Sequence, residues 1–174
     1  MRDWAESINA SFSIVKTPPI GFNRDYFLIN IEKDLNNSNT INIIQNSVGT
    51  DIEVHLSHLK FETKTSNNLN YDLSLYPKGF LEKLFQITKI KTGNKKFDNK
   101  FGIYTTNKEL ATYFFSNEEI QSIFFKNKFL IFNIQKEKSL ITFKNMETKF
   151  YTESELQKLL NDFVFILNLL EKYR

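Results

Sequence analysis

The chain has 174 residues, a formal net charge of +3, no cysteine, two histidines and five glycines. A chain without cysteine forms no disulfides or thiolate zinc sites and offers no thiol nucleophile. This length allows roughly 70% of the unfolded surface to be buried, and 18 phenylalanines supply large side chains for a continuous core. We therefore expect one domain spanning residues 1–174. The absence of cysteine is compatible with both a reducing and an oxidising compartment.

Hydropathy, the N-terminal sequence and the type of positive charge argue against a membrane-spanning, a secreted and a nucleic-acid-binding protein. No apolar run approaches the about 18 to 20 residues that a membrane-spanning helix needs, since Asn168 interrupts the most apolar stretch, residues 163–170. The N-terminus carries Asp3 and Glu6 where a secretory signal has a basic start and an apolar centre. We therefore expect no membrane span and a cytoplasmic location. Lysine supplies nearly all of the positive charge, and this shortage of the bidentate donor arginine argues against nucleic-acid binding.

The first half of the chain has the two-residue period of strands. Residues 26–32 are rich in strand formers, residues 34–39 are turn residues, and residues 40–45 form a second apolar run, which together predict a hairpin. In residues 51–57, Ile52, Val54 and Leu56 alternate with polar residues.

This alternation then slips, because Leu59 and Phe61 have the opposite parity to Leu56. A one-residue shift would turn the whole pattern over, so the slip predicts a β-bulge near Ser57 and His58.

The next segments mix strands and helices. Residues 64–70 are typical of a loop, residues 71–76 predict a short strand, and residues 97–104 predict an extended segment. Pro77 can open a helix, in which four apolar residues fall at helical spacing: Phe80, Leu81, Leu84 and Phe85.

Capping residues mark three further helices. Asn107 predicts the start of one that holds Leu110, Ala111 and Phe114, and Ser116 with Glu119 predicts a capping box for a second. Residues 128–135 and 139–143 predict a hairpin. A long helix from Thr152 to about Tyr173 has Glu155 as its box partner and an apolar stripe of Leu156, Leu159, Leu160, Phe163, Ile166, Leu167 and Leu170. The expected fold is α+β: an antiparallel sheet with helices packed mainly on one face and a long C-terminal helix.

Residues 73–130 contain a polar bend, a Phe-Asp-x-x-Phe strand motif, an Asn-centred turn and a Leu-Ala helix, which are represented by Gly93, Phe97, Asp98, Phe101, Asn107, Leu110 and Ala111. In this pattern the segment resembles a bacterial family of uncharacterised proteins. Members often carry two membrane-spanning helices ahead of the soluble part, which we do not expect in this chain. The resemblance covers about a third of the chain and implies the fold and a bacterial source, but no functional residue.

Candidate chemistry is sparse. Asp51, Glu53 and His55 share one face of a predicted strand, where a carboxylate and an imidazole could act as acid and base. A solvated strand face explains the same residues, because no third anchor, nucleophile motif or Gly-rich turn accompanies them. His55 and His58 should point to opposite faces, and zinc sites need more ligands than this pair. We therefore assign no catalytic, metal or cofactor-binding residue and expect no cofactor.

Two surfaces could bind a macromolecule. A single nucleic-acid strand could contact a lysine cluster interleaved with Phe97 and Phe101, although nearby acidic residues and the expected burial of both rings argue against it. The cluster consists of Lys89, Lys91, Lys95, Lys96 and Lys100.

The C-terminal helix has apolar residues around more than half of its circumference if Val164, Phe165 and Leu169 are counted. This surplus could pack against a second copy or be covered by other helices of the same chain.

These observations favour a non-enzymatic protein-interaction module in a bacterial cell, for example an immunity-type inhibitor or a sensor-like soluble domain. Its partner would be another protein, and it could form a homodimer through the C-terminal helix. The alternative is a hydrolase that uses Asp51, Glu53 and His55 on the strand at 51–57.

Overall fold

The computed structural model describes residues 1–17, 25–35, 39–49, 54–65, 69–79, 90–127, 130–147, 149 and 151–172. Within these residues, one antiparallel sheet contains eight strands in the order β1-β2-β3-β4-β8-β7-β5-β6. The strands are β1 (Ser11–Thr17), β2 (Asp25–Leu35), β3 (Asn39–Gly49), β4 (Val54–Lys64), β5 (Leu73–Pro77), β6 (Phe101–Thr105), β7 (Leu130–Gln135) and β8 (Leu140–Asn145).

The described residues also form five α-helices: α1 (Arg2–Ser7), α2 (Lys95–Lys100), α3 (Lys108–Phe115), α4 (Glu118–Lys126) and α5 (Glu153–Lys172). The predicted α+β class and the long C-terminal helix are therefore confirmed. None of these helices combines the length and the apolar character that crossing a membrane requires.

One face of the sheet forms the core. Cross-strand partners in an antiparallel sheet point to the same face. A single row of partners crosses seven strands, and every member is buried: Ile31, Ile43, Phe61, Phe143, Phe132, Leu75 and Ile103. The aromatic residues of this row lie on β4, β8 and β7, so the thickest part of the core is at the middle of the sheet.

The helices pack on this same face. The ring of Phe163 on α5 lies 5.6 Å from Phe143 and 6.0 Å from Phe61, between centroids. Phe124 on α4 lies 6.2 Å from Phe143, and Phe114 on α3 lies 6.2 Å from Phe132. All seven apolar residues of the predicted α5 stripe are buried.

The two shortest helices join this layer through the longer ones. Trp4 of α1 donates a hydrogen bond from Nε1 to Gln157 Oε1 of α5 at 3.2 Å. Phe97 of α2 contacts Phe124 of α4, with ring centroids 6.5 Å apart. The described helices therefore form one layer on one side of the sheet.

The opposite face is polar. The neighbouring row of cross-strand partners crosses all eight strands of the described sheet and consists of Ser11, Glu32, Asn42, Glu62, Thr142, Asn133, Ser74 and Tyr104. These side chains are exposed or half-buried. The alternation between this row and the core row is the two-residue period that the strand segments show in the sequence.

The predicted bulge is present in β4. Gln45 pairs with Leu59 and Ser47 pairs with Leu56, so Ser57 and His58 together lie opposite the single residue Asn46. Because of the extra residue, Leu59 and Phe61 point to the same face of the sheet as the apolar residues before the bulge, and both are buried.

Several other predicted features are confirmed. The β2–β3 and β7–β8 hairpins form, the latter through a short 3-10 turn at Lys136–Lys138. Asn107 caps α3 by accepting a hydrogen bond from the Leu110 N–H. Thr152 and Glu155 form the capping box of α5, because the Glu155 N–H donates to Thr152 Oγ1 and the Thr152 N–H donates to Glu155 Oε2.

The extended segment predicted over 97–104 is partly wrong. Residues Lys95–Lys100 form α2, and only the rest belongs to β6. The helix forms because Asn94 Oδ1 accepts the N–H groups of Lys96 and Phe97, which satisfies two donors of the first turn. Phe97 and Phe101 still enter the core.

Two predicted helix starts are also corrected. Asn117, not Ser116, caps α4, since its side chain accepts from the Glu119 and Ile120 N–H groups. Ser116 instead ends α3 and donates its hydroxyl to the backbone carbonyls of Thr92 and Thr112. Pro77 is the last residue of β5, and the helix predicted to follow it, with Phe80, Leu81, Leu84 and Phe85, lies outside the described residues.

Candidate functional site

The residues of the hydrolase hypothesis lie mostly outside the described part of the chain. Asp51 and Glu53 are outside it, and for His55 only the backbone is described, in β4 opposite Val48. His58 lies at the bulge, where its Nδ1 is buried and has no hydrogen-bond partner. Among the described residues, no three His, Asp or Glu side chains come together as a metal site requires. The hydrolase hypothesis therefore gains no geometry from these residues.

The lysine cluster does not present aromatic rings for stacking. Phe97 and Phe101 are both buried, and Lys100 Nζ lies 5.4 Å from the centroid of the Phe101 ring. Lys100 also lies 5.2 Å from the centroid of the Phe125 ring. Because the rings belong to the core and to a cation–π contact, they cannot provide the base-stacking platform that single-strand binding uses. Lys89 lies outside the described residues.

The apolar surplus of α5 is partly covered within the chain. Val164, Phe165 and Leu169 are half-buried and pack against the core cluster. The homodimer through the C-terminal helix stays a prediction.

A polar cleft of about 280 Å³ lies where the end of β8 meets the end of α4 and the start of α5. It is lined by Lys126, Asn127, Asn145, Glu147, Lys149, Tyr151, Glu155, Lys158 and Leu159. Most of these residues come from the segment that joins β8 to α5 and from the first turns of α5, and Lys126 and Asn127 at the end of α4 complete the lining.

Three charged groups of this cleft form ion pairs with one another. Lys149 Nζ lies 2.8 Å from Glu155 Oε1 and 3.5 Å from Glu147 Oε2. The hydrogen bond from Lys149, with the Thr152 N–H, lowers the pKa of Glu155 from 4.5 to about 2. The same bond raises the pKa of Lys149 above its ordinary value. Both groups are therefore fully ionised at neutral pH.

Two further polar side chains form hydrogen bonds with the backbone of Glu147. The Tyr151 hydroxyl donates to the Glu147 carbonyl at 3.0 Å, and burial raises the pKa of Tyr151. Asn145 is buried, and its Oδ1 accepts the Glu147 N–H at 3.0 Å. The pKa shifts at Lys149, Tyr151 and Glu155 all lead away from neutrality, so these three residues are unsuited to proton transfer near pH 7 and their contacts hold the start of α5 to the segment that follows β8.

The edge of the sheet at β1 has the opposite character. Among the described strands, β1 pairs only with β2. Ile14 is 53% exposed and Val15 48% exposed, although both are aliphatic residues in the middle of a strand. An edge strand with exposed apolar side chains is a template for pairing with another strand.

Strand β1 was not predicted from the sequence. Its signal was the alternation of Ser11, Phe12, Ser13 and Ile14, followed by the strand formers Val15 and Thr17. The other edge, β6, differs because α2 directly precedes it, α3 follows it, and both contact it.

A third exposed feature is an aromatic residue on α3. Tyr113 on α3 is 64% exposed, and a shallow apolar depression beside it is lined by Lys108, Glu109, Thr112, Tyr113 and Ser116. Single exposed apolar residues are common on protein surfaces. Tyr113 therefore serves better as a reference position for substitutions than as a binding site.

No protein-family model, curated protein or solved structure matches this chain. The resemblance of residues 73–130 to a family of uncharacterised bacterial proteins stays a prediction.

Proposed function

We propose that this protein is a non-enzymatic interaction module that binds another protein through the β1 edge of its sheet. The observation that carries the proposal is the exposure of Ile14 and Val15 on a strand that pairs on one side only within the described sheet. A partner strand laid along β1 would add main-chain hydrogen bonds at this edge and cover both aliphatic side chains. This mode of binding gains affinity from main-chain hydrogen bonds and specificity from alternate side chains.

The two side chains would contact different parts of the partner. Ile14 pairs with Ile29 on the core face, whereas Val15 pairs with Leu28 on the polar face. A partner that adds a strand would therefore meet the edge of the helix layer on one side and the polar row on the other. An apolar centre with a polar surround is the usual arrangement of a protein interface.

The polar cleft supports the non-enzymatic part of the proposal. Its strongest electrostatic contacts are internal ion pairs and hydrogen bonds to the backbone, which stabilise the structure. The pKa shifts at Lys149, Tyr151 and Glu155 all lead away from neutrality. Enzyme sites usually hold at least one group whose pKa is moved towards the working pH.

The test is capture of a partner by the immobilised full chain, followed by titration of the purified partner against the chain in solution. We expect Ile14→Lys to weaken binding by about tenfold or more, because it places a charge at the centre of the contact. Tyr113→Lys, which adds the same charge at another exposed apolar position, should bind as the unmodified chain does.

Two results would contradict the proposal. One is a partner whose affinity is the same for Ile14→Lys and Tyr113→Lys, which would move the contact away from β1. The other is hydrolysis of an ester, peptide or phosphodiester substrate by the chain that is lost in His55→Ala, since that would favour the carboxylate and histidine site.

A further inference from the structure

We propose that the polar cleft at the start of α5 binds a small oxyanion of the phosphate class. The lining of this cleft combines one buried amide donor, Asn145, with two lysines from different helices, Lys126 and Lys158. No residue of the lining belongs to β1, so this binding site is independent of the proposed protein contact.

Asn145 is the most buried polar residue of the lining, with 5% of its surface exposed. Its Oδ1 accepts the Glu147 N–H at 3.0 Å. Because a backbone N–H needs an acceptor, this bond fixes the orientation of the amide and leaves Nδ2 as a donor. Among the described residues, nothing accepts a hydrogen bond from Asn145 Nδ2. Buried polar side chains usually have partners, so these N–H groups favour a ligand with acceptor atoms in the cleft.

Two lysine side chains supply positive charge beside this donor. Lys126 lies in the last turn of α4 and Lys158 lies in α5, and both line the cleft while remaining exposed. Neither forms an ion pair with another described residue. An ammonium group has three donors and no acceptor. A ligand held by these lysines and by Asn145 must therefore supply acceptor oxygens and negative charge.

Charge, shape and size favour a small phosphate compound. A phosphate monoester carries about −1.5 to −2 charges at neutral pH and has three strong acceptor oxygens, which match two lysines and one amide donor on three separate elements. The two oxygens of a carboxylate offer one acceptor fewer. The cleft volume of about 280 Å³ is near the lower limit of about 300 Å³ for ligand pockets, which favours a ligand smaller than a nucleotide.

The acidic residues near the cleft limit the affinity. Glu147, Lys149 and Glu155 form one ion-paired group of two carboxylates and one ammonium, which leaves one surplus negative charge. Asp162 attracts both of the other lysines electrostatically. These carboxylates oppose an added anion, and exposed ion pairs are weak. We therefore expect a dissociation constant of about millimolar order.

The test is an NMR titration of the isotope-labelled full chain with inorganic phosphate at constant ionic strength. We expect a saturable shift of the Asn145 side-chain amide signals. Lys158→Gln should weaken binding by about threefold to tenfold, because it removes one charged contact. The matched control Lys172→Gln removes the same charge about 21 Å further along α5 and should bind as the unmodified chain does.

Asn145→Asp tests the buried donor separately. This variant keeps the oxygen that accepts the Glu147 N–H and replaces the N–H donors with a carboxylate oxygen. We expect phosphate binding, followed at the Glu147 backbone amide, to be lost. The amide spectrum of the variant shows whether it is folded, and the Lys158→Gln comparison decides the outcome if it is not.

The proposal is overturned if phosphate causes no saturable shift at Asn145. It is also overturned if Lys158→Gln and Lys172→Gln weaken binding equally, because net charge alone would then explain the effect. Acetate that binds as tightly as phosphate would contradict the phosphate class. Glycerol phosphate distinguishes the source of the group: tighter binding than inorganic phosphate supports an organic phosphate, and equal or weaker binding supports the free anion.

Discussion

At the scale of single residues, the sheet leaves no room for a side chain at Gly102. An added Cβ would lie 2.6 Å from two ring carbons of Tyr76, its cross-strand partner. The Tyr76 ring is buried and cannot move aside freely. The glycine therefore permits the close approach of a buried aromatic ring to the β6 backbone.

We expect Gly102→Ala to lower the free energy of unfolding by about 1 to 3 kcal/mol, the usual cost of overpacking. In a Tyr76→Leu background the distal ring atoms are gone, and the same substitution should be neutral or stabilising. Urea unfolding of the four variants in a double-mutant cycle measures the coupling. An equal cost in both backgrounds would show that Tyr76 does not explain the glycine.

Glu155 gives a second residue-scale prediction, in the pH dependence of stability. Its pKa falls from 4.5 to about 2 on folding, because it accepts hydrogen bonds from Lys149 and the Thr152 N–H. A lowered pKa contributes stability above the unfolded value, and that contribution is lost as the pH falls through the folded value. Glu155→Gln should therefore be less stable than the unmodified chain near neutral pH, with the difference closing between pH 4.5 and about 2.

The measurement is the urea midpoint of both chains across that range. Gln keeps the capping geometry, so the comparison isolates the charge. Glu171→Gln, at the exposed far end of α5, controls for the loss of one carboxylate from the helix. A stability difference that stays constant down to pH 2 would contradict the assigned cause.

At the scale of elements, Phe163 packs α5 against the sheet through two ring contacts. Phe163 is fully buried and stacks on Phe143 beside Phe61, whereas Phe165 on the same helix is half-buried. We expect Phe163→Ala to lower the free energy of unfolding by about 3 to 5 kcal/mol, and the matched control Phe165→Ala to cost clearly less. Chemical unfolding of both variants tests this, and equal costs would contradict the packing of α5 against β4 and β8.

The bulge in β4 gives a second element-scale prediction. Deletion of His58 removes the extra residue, so one half of β4 must present its apolar residues to the wrong face. We expect a loss of about 4 kcal/mol or more, or failure to fold. His58→Ser keeps the chain length and should cost much less. Circular dichroism and urea unfolding compare the two variants, and a well-folded deletion variant would show that β4 does not need the bulge.

The elements that the sequence predicts correctly are those with a local cause. The parity change between Leu56 and Leu59 locates the bulge, and Thr152 with Glu155 locates the start of α5, because period and capping are set by neighbouring residues. The misplaced start of α4 falls where two neighbouring residues offer the same chemistry. Ser116 and Asn117 are both residue types that cap helices. The Ser116 hydroxyl donates a hydrogen bond to the distant Thr92 carbonyl, and Asn117 caps α4 instead.

At the scale of the whole molecule, the strand order could not be predicted from the sequence. The β7–β8 hairpin is inserted between β4 and β5, so that Leu59 pairs with Asn145 and Leu75 with Phe132. Local periodicity contains no information about which distant strands meet. The strand order also decides that β1 lies at an edge, and for this reason the candidate contact at Ile14 and Val15 became visible only in the folded chain.

The central claim is that β1 is the surface through which this protein associates. Hydrogen–deuterium exchange of the full chain, measured with and without the captured partner, tests it most directly. We expect the amides of Ser11–Thr17 to exchange more slowly when the partner is bound, while those of the opposite edge of the described sheet, Phe101–Thr105, do not change. Protection that appears in Glu153–Lys172 and not in β1 would contradict it and place the contact on the C-terminal helix.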